Sequence, residues 1–88
     1  MEIQLTKGTW SEVENLTDDK TYCIEGKFIF EDKYYPTQLL LTQADTKPQD
    51  ASNEGFIGEL FKIKKVSGLG IYVKAISTQT ILTVQEVQ

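Results

Sequence analysis

Cys23 is the one cysteine in this chain and histidine is absent, which narrows at once the chemistry its side chains can do. A serine or cysteine nucleophile needs a base beside it. Without imidazole, only lysine or a carboxylate is left for that role, and Cys23 sits between Tyr22 and Ile24. It reads as a buried or partly buried structural thiol in a strand. Paired carboxylates occur at Asp18-Asp19, Glu31-Asp32 and Glu12/Glu14. Glycoside hydrolysis needs two carboxyl groups held at a set separation across a cleft. These pairs fall in turns or on strand surfaces instead, and read as solvated charge. Asp50, Ser52, Glu54, Gly55 and Ile57 echo the first, third, fifth, sixth and eighth positions of a helix–loop–helix calcium site. The twelfth position, which should be a bidentate Glu, is Phe61, and no amphipathic helix flanks the segment. Gly68-Leu69-Gly70 precedes a strand pattern where a phosphate-binding loop would precede a helix. The sequence therefore predicts no catalytic residue, no metal site and no cofactor.

Binding without chemistry remains open. Trp10, Tyr34 and Tyr35 would make a sugar-stacking platform if they converged on one face. The competing reading packs Trp10 into the core and leaves the tyrosine pair exposed on an edge. Nine cationic residues, all lysine, stand against thirteen acidic ones, for a net charge of −4. Arginine is the usual donor for bidentate phosphate and guanine contacts. Its absence, with the negative balance, argues against nucleic acid and anionic membranes as partners. Met1-Glu2-Ile3-Gln4-Leu5 has no basic flank followed by an apolar stretch, and no apolar run approaches the length of a membrane span. With a single thiol, synthesis in a reducing cytoplasm is expected.

The elements that must carry these residues are strands. Tyr22, Ile24, Phe28 and Phe30 share one parity, with Thr21, Cys23, Glu25 and Lys27 between them, the period of a half-buried strand. Gly26 marks a bulge or bend within it, and Glu31-Asp32-Lys33 a polar turn. Leu39-Leu40-Leu41 reads as a strand buried on both faces. Residues 43–55 form the one long polar loop, with nothing large to anchor it. Phe56 to Lys65 resumes strand character, with Ile57, Phe61 and Ile63 on one parity. Ile71, Val73 and Ala75 alternate with Tyr72, Lys74 and Ile76, and a last strand runs from Thr80 to Val87. Thr9 to Leu16 is assigned to a strand, with a short capped helix as its rival. The expected fold is one all-β domain over residues 1–88. It would be a small antiparallel β-sandwich or flattened barrel, jelly-roll-like, with at most one short helix.

This layout resembles the small β-sandwich structural proteins of tailed bacteriophage particles, the head decoration proteins and the modules of head and tail fibres. The resemblance spans roughly residues 9 to 86 and rests on several segments. These are Trp10 and Val13, Tyr22 and Ile24, the polar loop with Pro48 that ends at Gly55-Phe56, and Ile71-Tyr72-Val73-Lys74-Ala75 followed by Leu82-Thr83-Val84-Gln85-Glu86. It implies a protein without enzymatic activity that self-associates, commonly as a trimer, and attaches to a capsid or tail protein. Its place would be the virion, after synthesis in the host cytoplasm. A carbohydrate- or receptor-binding module and a small inhibitor of a host protein are the rival readings.

A chain of 88 residues without disulfides buries only roughly 60–65% of the surface it exposes when unfolded, and self-association adds burial. The segments apolar on both parities point to where. One face of Leu39-Leu40-Leu41 and of Ile71 to Ile76 must meet the core, so the other is expected to meet another subunit. Leu39, Leu40, Leu41, Tyr72 and Ile76 are the predicted interface residues, with the 43–55 loop facing a partner or solvent.

Overall fold

Nine strands and no helix make up the described residues of the computed structural model, 2–87. In chain order they are β1 (Glu2–Leu5), β2 (Trp10–Glu12), β3 (Thr21–Phe30), β4 (Lys33–Pro36), β5 (Leu39–Ala44), β6 (Phe56–Gly58), β7 (Leu60–Lys64), β8 (Gly70–Ala75) and β9 (Thr80–Glu86). They form two antiparallel sheets. The first runs β1-β9-β3-β4, with β7 also paired to β3, and the second runs β2-β8-β5-β6. The sheets stack as a sandwich and do not close into a barrel, which decides between the two architectures the sequence allowed.

The pairing is nested. β1 pairs β9, β2 pairs β8, β3 pairs β7 and β5 pairs β6. The chain is therefore one long antiparallel ribbon folded back on itself and wound into two sheets. This is the winding of a jelly roll, with β4 added as a short return strand after β3.

Period two decides what each strand buries. Tyr22 and Ile24 of β3 stand opposite Ile63 and Phe61 of β7, and Ile24 stands opposite Val84 of β9. From the other sheet Leu39 and Leu41 face inward beside Ala75 and Val73. Together with Leu5, Val13, Ile71 and Leu82 these side chains form the core. Cys23 lies on the opposite parity, half-buried on the outer face between Lys62 and Gln85 in register.

Gly26 is not a bulge, since β3 runs through it with its register against β9 unbroken. A Cβ there would lie 2.6 Å from Leu39 Cδ2 and 2.9 Å from the Thr37 carbonyl oxygen. Glycine is present because β5 and its approach cross close by. The single strand expected over Phe56 to Lys65 is two: β6 ends in the second sheet at Gly58 and β7 starts in the first at Leu60. Alternation therefore breaks at the crossing. Phe61 and Ile63 pack on the core while Ile57 is exposed.

Candidate functional site

Two apolar surfaces lie outside the core, and the chain treats them differently. The first is the outer face of the second sheet. Trp10 of β2, Lys74 of β8, Leu40 of β5 and Ile57 of β6 stand in one cross-strand row. Tyr72 follows one step along, opposite Glu12 and Thr42. Trp10, Leu40 and Tyr72 form a second buried cluster, with Ala44 and Ile76 packed against it.

The cover over this face is the chain's own 45–55 segment. Trp10 donates its backbone N–H to Asp50 Oδ1 at 3.1 Å and its indole N–H to the Ser52 carbonyl at 2.9 Å. Lys74, 6% exposed, directs its ammonium at the carbonyls of Asp50 and Ser52 and at Asn53 Oδ1. An ammonium has three donors, and these are three acceptors, none of them a carboxylate. The ammonium also lies 5.9 Å from the centre of the Trp10 ring. Desolvating a cation is costly unless every donor is met, and the loop meets all of them.

This placement corrects the expected interface. Leu39 and Leu41 are in the core between the sheets, while Leu40 and Tyr72 are buried beside Trp10 in the second cluster. The second apolar parity of β5 and β8 is thus buried within the chain, and no second subunit is needed to cover it. Leu40 and the half-buried Ile76 also line an open groove of about 600 Å³ beside the loop, with Lys7, Ile57 and Lys74. The loop itself does not simply face solvent. Pro48 is buried, and the Asp50 side chain that echoed a calcium ligand is engaged with Trp10.

The second surface is the β3–β4 hairpin. β9 accompanies β3 only as far as Lys27, opposite Ile81. Beyond that point Phe28 to Phe30 pair with β4 alone, in the register Phe28–Tyr35, Ile29–Tyr34 and Phe30–Lys33. The connecting residues Glu31 and Asp32 both have positive φ, 50° and 63°, the signature of a two-residue type I′ turn whose twist matches the strands. Ile29 (51%), Phe30 (58%) and Tyr34 (56%) are exposed. Phe28 and Tyr35 stack with ring centres 5.5 Å apart. Lys27 lies 4.8 Å over the Tyr34 ring. Along the same sheet edge Leu60 of β7 is exposed, and Phe56 and Ile57 are exposed on the edge strand β6.

Trp10, Tyr34 and Tyr35 do not converge. Trp10 is fully buried under the loop. Tyr34 and Tyr35 are neighbours in one strand, so they point to opposite faces of the hairpin. Sequence reasoning missed Lys74 and the exposed residues Ile29, Phe56, Ile57 and Leu60 as surface-defining groups. Lys74 carried one signal: a cation alternating with apolar residues in a strand otherwise apolar on both parities. Among the described residues no group of three acidic or thiol side chains is placed to hold a metal ion.

One charged contact holds the far end of the sandwich. Lys65 Nζ lies 2.8 Å from Asp18 Oδ1. The hydrogen bond from Lys65, with its charge, holds the Asp18 carboxyl below the usual carboxylate range.

The geometry defines a jelly-roll sandwich with two apolar surfaces outside its core, one covered by its own loop and one open. Comparison with protein-family models, curated proteins and solved structures found no match to this chain.

Proposed function

We propose that this chain is a non-enzymatic structural protein of a bacteriophage particle, which works by associating with itself and with a capsid or tail protein. The observation that carries the reading is the uncovered apolar surface. Ile29, Phe30 and Tyr34 on the hairpin, with Phe56, Ile57 and Leu60 on β6 and β7, are large, apolar and more than half exposed. Large apolar side chains left exposed in that number on a small protein support a role in binding. The jelly-roll winding gives support by analogy, because capsid and lectin domains share it. The sequence resemblance supplies the particle. Binding by this surface calls for no bound cofactor and no chemical step.

The proposed assembly is a homotrimer, with its contacts moved from the 39–41 and 71–76 segments to the hairpin and the β6–β7 corner. A closed ring of identical subunits covers the same two unlike patches on every copy. Multi-angle light scattering at low micromolar concentration tests this. The expected mass is three times the 10.0 kDa of one chain. A mass of a single chain would overturn self-association and shift weight to an inhibitor that binds a host protein.

A further inference from the structure

We propose that residues 45–55 are a strap that opens as a unit while both sheets stay folded, and that Lys74 is its latch. The inference does not rest on self-association or on the particle.

The strap is tied down at few points. Among the described residues five hydrogen bonds from the sheet reach it, and all five start from two residues, Trp10 and Lys74. These two are direct cross-strand partners on β2 and β8, so the attachments converge on one spot. Apart from Pro48, which is buried, and the half-buried Ser52, every residue from 45 to 55 is exposed. The strap's internal bonds are local, from Ser52 to Gln49 and between Ser52 and Glu54, and survive its displacement.

The ties that must break are few. Hydrogen bonds from a charged donor are stronger than neutral ones, so the three from Lys74 are the main polar hold on the strap. Trp10 adds two more, and Pro48 is the one buried residue of the strap. The two sheets lose none of their own pairing on opening, because the β5–β6 register from Leu39–Gly58 to Leu41–Phe56 lies outside the strap. Gly55, with φ of 103° and a would-be Cβ only 2.5 Å from the Leu41 carbonyl oxygen, is the fixed point at the β6 end. Opening joins the uncovered Trp10 face to the groove lined by Leu40, Ile57 and Ile76, so the chain then presents a larger continuous apolar surface than when closed.

Trp10 is the one tryptophan, so its indole reports on the strap without interference. In the unaltered protein the Trp10 indole proton should exchange with solvent on the order of tenfold or more faster than core amides of β3 and β8. Its rate should be insensitive to urea below the unfolding transition, as local opening requires. Exchange at the core rate, with the core's urea dependence, overturns the proposal. Lys74→Met keeps the aliphatic stem and removes the latch. It should shift the Trp10 emission to longer wavelength and raise its quenching by acrylamide several-fold, with a melting transition that stays cooperative. Unchanged emission and quenching in a folded Lys74→Met protein overturns the latch. Should that variant fail to fold, the exchange measurement on the unaltered chain decides.

Discussion

The Trp10 face and the β3–β4 hairpin are similar in composition and opposite in fate. Each presents aromatic and aliphatic side chains outside the core, on one sheet face at Trp10 and on both faces of the hairpin. At Trp10 the chain supplies its own cover, with an oxygen for each N–H and a buried proline. At the hairpin it supplies none, and Ile29, Phe30 and Tyr34 stay more than half exposed. The contrast shows that apolar residues on both parities of a strand do not by themselves mark a subunit interface. Only the residues left over after the loops have folded back can do so.

The comparison is broken most directly by truncating one aromatic on each side. Trp10→Ala should lower stability to urea unfolding by about 3–5 kcal/mol, because a fully buried indole is lost and a cavity is left in its place. Phe30→Ser, measured below the association range, should change stability by no more than about 0.5 kcal/mol, while lowering the mass found by light scattering at higher concentration. Equal losses of stability at both sites would erase the distinction.

Gly26→Ala sharpens it by loading the junction of the two regions. Gly26 lies where β3 leaves the sandwich to enter the hairpin. Its added methyl would meet Leu39 Cδ2 and the Thr37 carbonyl oxygen well inside contact distance. The side chain can rotate away but the carbonyl is backbone, so a cost of about 1–3 kcal/mol is expected. A neutral result in thermal and urea unfolding would mean that the hairpin is free to swing relative to β5.

The smallest effect lies far from both regions. Asp18 has a lowered carboxyl pKa in the folded state. Its pairing with Lys65 therefore contributes stability above the ordinary value of 3.8, and that contribution is lost as pH falls through the lowered folded value. Asp18→Asn should melt slightly below the unaltered protein at neutral pH and coincide with it in strong acid. The difference should also shrink with added salt, since the pair is at the surface. A gap that persists in acid would assign the effect to something other than charge.

Much of the fold was legible in the residues. Alternation at Tyr22, Ile24 and at Ile71, Val73, Ala75 gave β3 and β8 with their inward faces, and the triple leucine was correctly a strand buried on both sides. Less of the candidate site was legible, for reasons specific to each part. The 43–55 loop contains no large apolar residue, so nothing local shows that it folds over Trp10. Its hold comes from backbone carbonyls, which every sequence has, matched to Lys74 more than twenty positions away. The crossing between β6 and β7 is invisible to periodicity because Ile57, Phe61 and Ile63 share a parity across a change of sheet. The exposure of the hairpin follows from where β9 stops pairing with β3, a matter of strand length in a remote segment.

The nested strand order also dictates when the molecule can exist during synthesis. β8 lies between β2 and β5, and β9 lies between β1 and β3, so each is made after the neighbours it joins. The β3–β4 hairpin, closed by a two-residue turn, can form within about 1–10 μs of emerging. Neither sheet can be assembled around it until the residues of β8 and β9, 70–86, have left the ribosome. Completion must then proceed through contacts between residues far apart in sequence, the slow class of folding event. Until that moment the nascent chain carries open strand edges in both halves, and a chain cut short after Gln79 would retain β1 and β3 without the strand that joins them.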